Sequence, residues 1–170
     1  MLAIGVLASG RGTNLGALIE AIDAGRLPAR IAVVVCNVPG APALQRAEEA
    51  GIPTVCIPHG DHESRAAFDA AVEAALERHG VELVVLAGFM RILGPAFVRR
   101  WHGRLLNVHP SLLPAFPGFA AARQALDAGV RITGCTVHLV DEGTDTGPIV
   151  AQAAVPVLPG DDENTLHARI

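Results

Sequence analysis

Hydrophobic positions recur along this chain in two rhythms. Residues 2–8 form an almost unbroken apolar run, the mark of a strand buried on both faces. Residues 14–24 then place apolar side chains at Leu15, Leu18, Ile19 and Ile22, a helical spacing, with Gly25 as the stop. The alternation continues with a strand over 31–36, a helix over 41–50 closed by Gly51, and a short strand over 54–57. It goes on through a long amphipathic helix over 63–79 closed by Gly80, a strand over 83–87, and a brief helix over 95–101 opened by Pro95. Residues 104–108 read as a further short strand, with Asn107 interrupting its apolar positions.

After Pro114 the order changes. Phe116-Pro117-Gly118 makes a turn, and residues 120–127 a helix ended by Gly129. Residues 133–140 alternate small or polar with apolar side chains, as an antiparallel or edge strand does. Residues 149–155 form another strand, limited by Pro156 and Pro159. Residues 164–170 read as a helix cut short. The fold class this implies is α/β: a doubly wound, mostly parallel sheet covered by helices on both faces, with a C-terminal antiparallel portion.

Composition narrows the picture. The 170 residues amount to one domain (1–170) by size, without linker or repeat. Although 51% of residues are hydrophobic, no apolar run reaches the roughly 18 residues of a membrane span. The opening stretch makes a better first strand than a signal peptide. A net charge of −4 argues against a nucleic-acid surface, and every basic residue is Arg or His. Cys36, Cys56 and Cys135 are odd in number and lack metal-ligand spacing, which fits reduced thiols packed in a cytoplasmic protein without a metal.

Chemistry concentrates in four stretches. In 105–114, Asn107 and His109 share a strand face, and Pro110 biases His109 toward extended geometry. An amide and an imidazole at a strand's carboxyl end can hydrogen-bond an oxyanion and move a proton; the competing reading is a satisfied core amide and a loop-capping His. The turn 8–14 joins the first strand to the first helix. It fails the dinucleotide fingerprint, because Leu15 holds the third glycine position, and it fails the P-loop pattern. That leaves a compact monophosphate cradle, or an ordinary turn with Thr13 or Asn14 capping the helix.

The loop 88–94 follows the fourth strand, where open α/β sheets bind ligands. Apolar but for Arg91, it can wall a flat ring, or be a buried loop with Arg91 snorkelling. Arg65 fits a solvated helix face. The loop 140–149 carries Asp141, Glu142 and Asp145 among two glycines. A carboxylate there, near His109, would favour the imidazolium; EF-hand spacing is absent, and a solvated acidic turn is the alternative.

Taken together, Ser9-Gly10-Arg11-Gly12-Thr13-Asn14-Leu15, Leu86-Ala87-Gly88-Phe89-Met90-Arg91-Ile92-Leu93, Leu106-Asn107-Val108-His109-Pro110-Ser111-Leu112-Leu113-Pro114 and Asp141-Glu142-Gly143-Thr144-Asp145-Thr146-Gly147-Pro148 resemble the phosphoribosylglycinamide formyltransferases. The likeness runs from the first strand to the last helix and implies their Rossmann-like formyltransferase fold. It implies that the amine of 5-phosphoribosylglycinamide attacks the formyl carbon of the cosubstrate 10-formyltetrahydrofolate, in de novo purine biosynthesis. By that resemblance Asn107 bonds the oxyanion, His109 stabilises it and helps move protons, and Asp145 holds His109 charged. Gly12, Thr13 and Asn14 would take the ribotide phosphate. Arg65, Met90, Arg91, Ile92, Leu93, Asn107, Asp141, Glu142, Gly143 and Thr144 would line the folate site, with Arg65 near the glutamate tail. No metal, nucleic acid or membrane is implied, and the protein would act as a monomer or homodimer.

Two departures stand against the family pattern. Phe119-Ala120-Ala121-Ala122 replaces a run that usually holds two histidines, and the family's acidic contact to the ribotide lies beyond Ile170. Two other functions fit the same motifs: a formyltetrahydrofolate hydrolase, which usually carries an extra N-terminal domain, and a non-catalytic folate- or nucleotide-binding module. Two geometric expectations follow. Leu113–Pro114 should be cis, and an Asp145 oxygen should lie within about one water's reach of a His109 ring nitrogen.

Overall fold

The first strand, β1 (Leu2–Ala8), is buried at every position after Leu2, and different helices cover its two faces. Ile4, Val6 and Ala8 join a cluster with Leu15, Leu18, Ile19 and Ile22 of α1 (Thr13–Asp23) and with Ala43 and Ala47 of α2 (Pro42–Glu49). Gly5 points the other way, toward α3 (Arg65–Arg78). A Cβ there would come within 2.5 Å of the Leu76 side chain and 3.0 Å of that of Val81 just beyond the helix, so any larger residue would force those side chains to shift. Burying a side chain such as Leu76 completely contributes about 2 kcal/mol, which is what holds α3 down.

The computed structural model describes residues 1–170, which divide into two compact units, Met1–Leu105 and Leu106–Ile170. In the first, β1 lies between β2 (Ala29–Cys36) and β4 (Leu83–Leu86), and β3 (Thr54–Cys56) lies outside β2, all parallel, in the order β3-β2-β1-β4. The chain thus winds outward through β2 and β3, then returns to the opposite side of β1. That reversal makes the crevice between the ends of β1 and β4 the topological switch point, where sheets of this kind bind ligands. Each helix has a local start signal. Ser64 caps α3 through Ala67 N–H at 3.1 Å, and Pro42 and Pro95 open α2 and α4 (Pro95–Arg100).

In the second unit, β5 (Leu105–His109) pairs antiparallel with β6 (Ile132–Leu139), and β6 with β7 (Ile149–Pro156). α5 (Ala121–Ala128) and α6 (Glu163–Arg169) pack through Ala122, Ala125 and Leu166. Asp162 and Thr165 form a capping box at the start of α6. Beside it, Arg169 bonds Asp161 at 2.6 and 2.8 Å and holds that carboxyl well below the usual range.

The expected α/β class, doubly wound and mostly parallel with an antiparallel C-terminal portion, is the one observed. Element boundaries fall within two residues of those expected from the hydrophobic rhythm. The Leu113–Pro114 bond is cis. A 3-10 turn at His59–Asp61 carries no periodic signal and was not expected. No helix is long and apolar enough to cross a membrane.

Candidate active site

The pleat of β5 sends Asn107 and His109 to one face, and the loops of the second unit close around them. His109 is buried, and its Nε2 donates to the Phe116 carbonyl at 2.9 Å, since that oxygen can only accept. Its Nδ1 lies 3.4 Å from Asp145 Oδ2, which also accepts from Gly118 N–H at 2.7 Å. With Nε2 a donor to Phe116, Nδ1 is the ring nitrogen that faces the Asp145 carboxylate. The cost of this arrangement is visible in the backbone. Phe116 (φ 53°) and Asp145 (φ 55°) are both left-handed without being glycine, a strain that clusters at functional sites.

Sequence reasoning missed a fourth member, His138. Antiparallel register sets it opposite Asn107. It is fully buried, its Nδ1 donates to the Leu139 carbonyl at 2.9 Å, and its Nε2 faces Asn107 Nδ2 at 3.3 Å and Asp145 Oδ1 at 3.6 Å. An amide nitrogen can only donate, so His138 Nε2 accepts one Asn107 N–H and fixes which way the amide points. The available signal was the alternation of β6 itself, whose buried phase carries Thr136 and His138. Thr136 pins the approach to the site by donating to Ser111 O at 2.7 Å and accepting from Leu113 N–H at 3.0 Å.

Beside this cluster is a cavity of about 290 Å³ lined by Leu113, Pro114, Pro117, Ile149 and residues 144–147. Asp141 builds its rim by accepting from Gly143 N–H at 3.0 Å and Thr146 Oγ1 at 2.7 Å. Gly147 has no room for a side chain, because a Cβ would overlap the Leu139 carbonyl. Glu142, Gly143 and Thr144 are exposed on the loop. Asn107, His109 and Asp145 therefore meet in one place, Asp141 closes the loop that carries Asp145, and three of the loop's other expected residues face solvent.

In the first unit, the turn after β1 is built by contact with α2. Gly12 (φ 70°) leaves its Cβ position 2.9 Å from Ala43 Cα, and Ala43 N–H donates to Gly10 O at 3.0 Å. No side chain caps α1, so Thr13 and Asn14, both exposed, are not used as caps, and the helix's first N–H groups stay available to an anion. The loop after β4 is not a buried one either. Met90 and Ile92 are 63% and 61% exposed, Arg91 is exposed, and Leu93 and Gly94 are buried. Two large apolar side chains held in solvent beside the switch point suit a ligand's flat face.

Asp69 of α3, which the sequence did not single out, anchors this loop through Gly94 N–H at 2.7 Å. Burial pushes its carboxyl up, against the lowering effects of that bond and of the charges of Arg65 and Arg91. Arg65 itself is exposed at the first position of α3.

Comparison with known proteins places this arrangement. The formyl transferase family matches residues 2–170. A phosphoribosylglycinamide formyltransferase of Mycobacterium tuberculosis is 54% identical over 169 residues, covering 97% of this chain and 76% of the relative. The trifunctional purine biosynthetic protein adenosine-3 of Drosophila pseudoobscura is 54% identical over 169 residues; the match covers 98% of this chain, which spans only 12% of that relative's length. A crystal structure of glycinamide ribonucleotide transformylase 1 from Symbiobacterium toebii superposes with a TM-score of 0.97 at 50% identity, over 100% of this chain and 80% of that one.

Proposed function

The chain belongs to the formyl transferase family, and from that premise we propose that it transfers the formyl group of 10-formyltetrahydrofolate to the amine of 5-phosphoribosylglycinamide, a step of de novo purine biosynthesis. The observation that carries the reading is the cluster of buried His109 with half-buried Asn107 and Asp145, the two ring nitrogens of His109 engaged by Phe116 O and Asp145. Acyl transfer needs donors aimed at a developing oxyanion and a group that can move a proton, and this cluster supplies both.

The folate cosubstrate brings an activated formyl carbon. As the ribotide amine forms its bond to that carbon, the carbonyl oxygen gains charge, and the free N–H of Asn107 and the His109 ring stabilise it. The carbon–nitrogen bond to the folate then breaks, and the proton lost by the amine is delivered to the departing folate nitrogen with Asp145, His109 and water as carriers. Asp145 favours the charged form of the His109 ring before and after this exchange. Gly12, Thr13 and Asn14 take the ribotide phosphate on uncapped N–H groups of α1. Met90, Arg91, Ile92 and Leu93 receive the pteridine, Arg65 the glutamate tail, and Asp141, Glu142, Gly143 and Thr144 complete the folate site. The reading makes the protein a cytoplasmic enzyme of small molecules, which three free cysteines suit.

The test is formyl transfer to 5-phosphoribosylglycinamide by the full chain, followed by the absorbance of released tetrahydrofolate. Ribotide-dependent release is the expected result. Formate release without the ribotide would make the protein a hydrolase, and folate binding without turnover would make it a binding module.

A further inference from the structure

The switch-point crevice of the first unit is closed by one hydroxyl. Ser9 follows β1 directly and is 9% exposed. Its backbone N–H donates to Gly88 O at 3.1 Å, which carries the β1–β4 ladder past the ends of both strands. Its Oγ accepts from Met90 N–H at 2.8 Å and donates to Asn37 Oδ1 at 2.5 Å. Asn37, also buried, passes the chain on through Nδ2 to His59 Nδ1 at 3.3 Å. One side chain thus ties the turn that holds Gly12, Thr13 and Asn14 to the loop that holds Met90, Arg91, Ile92 and Leu93.

We propose that Ser9 is a positioning residue that couples the two ligand sites of this unit, so that binding at either loop raises affinity at the other. The proposal rests on the functional reading above, which assigns a phosphate to one loop and a pteridine to the other. The physical reason is that a hydroxyl has one proton. With that proton committed to Asn37, the Ser9 oxygen can accept from Met90 only in the rotamer seen here, and members of such a chain polarise and strengthen one another. Thr13 and Asn14 in one loop and Met90, Arg91 and Ile92 in the other are exposed, so each loop loses side-chain freedom when occupied. A ligand that orders the 88–94 loop fixes Met90 N–H, hence Ser9, hence the turn beside it. The second ligand then meets a turn whose ordering cost is already met.

The experiment uses the full chain with 5-phosphoribosylglycinamide and tetrahydrofolate, a pair that holds no formyl group and cannot turn over. Titration calorimetry gives the ribotide Kd with and without saturating tetrahydrofolate. In the unaltered protein the folate should tighten the ribotide about fivefold or more, and in Ser9→Ala that ratio should fall to within about twofold of one. Ser9→Thr, which keeps the hydroxyl, should retain the coupling. A merely structural role for Ser9 would weaken both ligands and leave the ratio unchanged. Should Ser9→Ala lose its circular dichroism, Asn37→Ala, which removes the acceptor of the Ser9 proton, is measured in the same way. A ratio near one in the unaltered protein, or one unchanged in the variants, overturns the coupling. Failure of the unaltered protein to bind either ligand overturns the functional reading instead.

Discussion

Asp145→Asn tests the site most directly, because it removes a charge while leaving the shape. The amide keeps an oxygen for Gly118 N–H, now at 2.7 Å from Asp145 Oδ2, so the loop that carries Phe116 stays anchored. What is lost is attraction for a proton on His109 Nδ1, 3.4 Å away. A pair of unit charges at that distance is worth about 5 kcal/mol at an effective dielectric near 20, a ceiling lowered by dehydrating both groups. About 3–4 kcal/mol of transition-state stabilisation is then at stake, and kcat should fall roughly 10²–10³-fold. The folate Kd should change little, since the asparagine keeps the shape of the cavity wall that Asp145 lines. Asp145→Ala, lacking the Gly118 acceptor as well, should also weaken folate binding and lower stability by about 1 kcal/mol. The assay is steady-state formyl transfer with folate binding measured separately. If Asp145→Asn turns over within about tenfold of the unaltered protein, a loss of at most about 1.4 kcal/mol, Asp145 is an ordinary loop acid and the reasoning fails.

His138→Ala should lower kcat roughly 10–100-fold with KM nearly constant, because Asn107 loses the acceptor that orients its amide; a rise in KM alone would assign His138 to binding. Asp69→Asn should stabilise the fold increasingly as pH rises. Burial raises the Asp69 carboxyl above its unfolded value, so its contribution is fullest below the unfolded pKa and is lost as pH climbs through the folded one. Urea midpoints across pH 4–8 that show the opposite trend would mean the Arg65 and Arg91 charges dominate. Gly134→Ala should cost about 1–3 kcal/mol, a Tm drop of roughly 3–10 °C, because its Cβ would overlap the Ala153 carbonyl of β7. An unchanged melting curve would show that β6 and β7 can separate freely.

Much of this molecule is written locally. Strands and helices follow from side-chain periods of two and about 3.6, which neighbouring residues set among themselves, and glycines after α1, α2, α3 and α5 end them by rules of the same range. The shared face of Asn107 and His109 is local too, since a strand's pleat needs no partner. Thr13 and Asn14 mark the limit of that reach. Capping and ligand binding ask for the same residue types, and only packing of Gly12 against Ala43 decided that α1 starts without a side-chain cap.

By itself, then, the chain's order of residues determined the α/β alternation, the sites just beyond strand ends and the pair of groups on β5. Tertiary structure alone decided who meets them. His138 reaches Asn107 through the register of an antiparallel pair, and Asp145 reaches His109 because a loop beyond β6 folds back with a left-handed residue in it. Ser9 bonds Met90 because β4 returns to the open side of β1, and Asp69 of α3 turns inward to meet Gly94 N–H. These contacts join residues far apart in the chain, so no window of neighbours holds both partners. Burial fixes them, because a polar group removed from water must find its partner wherever the fold has brought one.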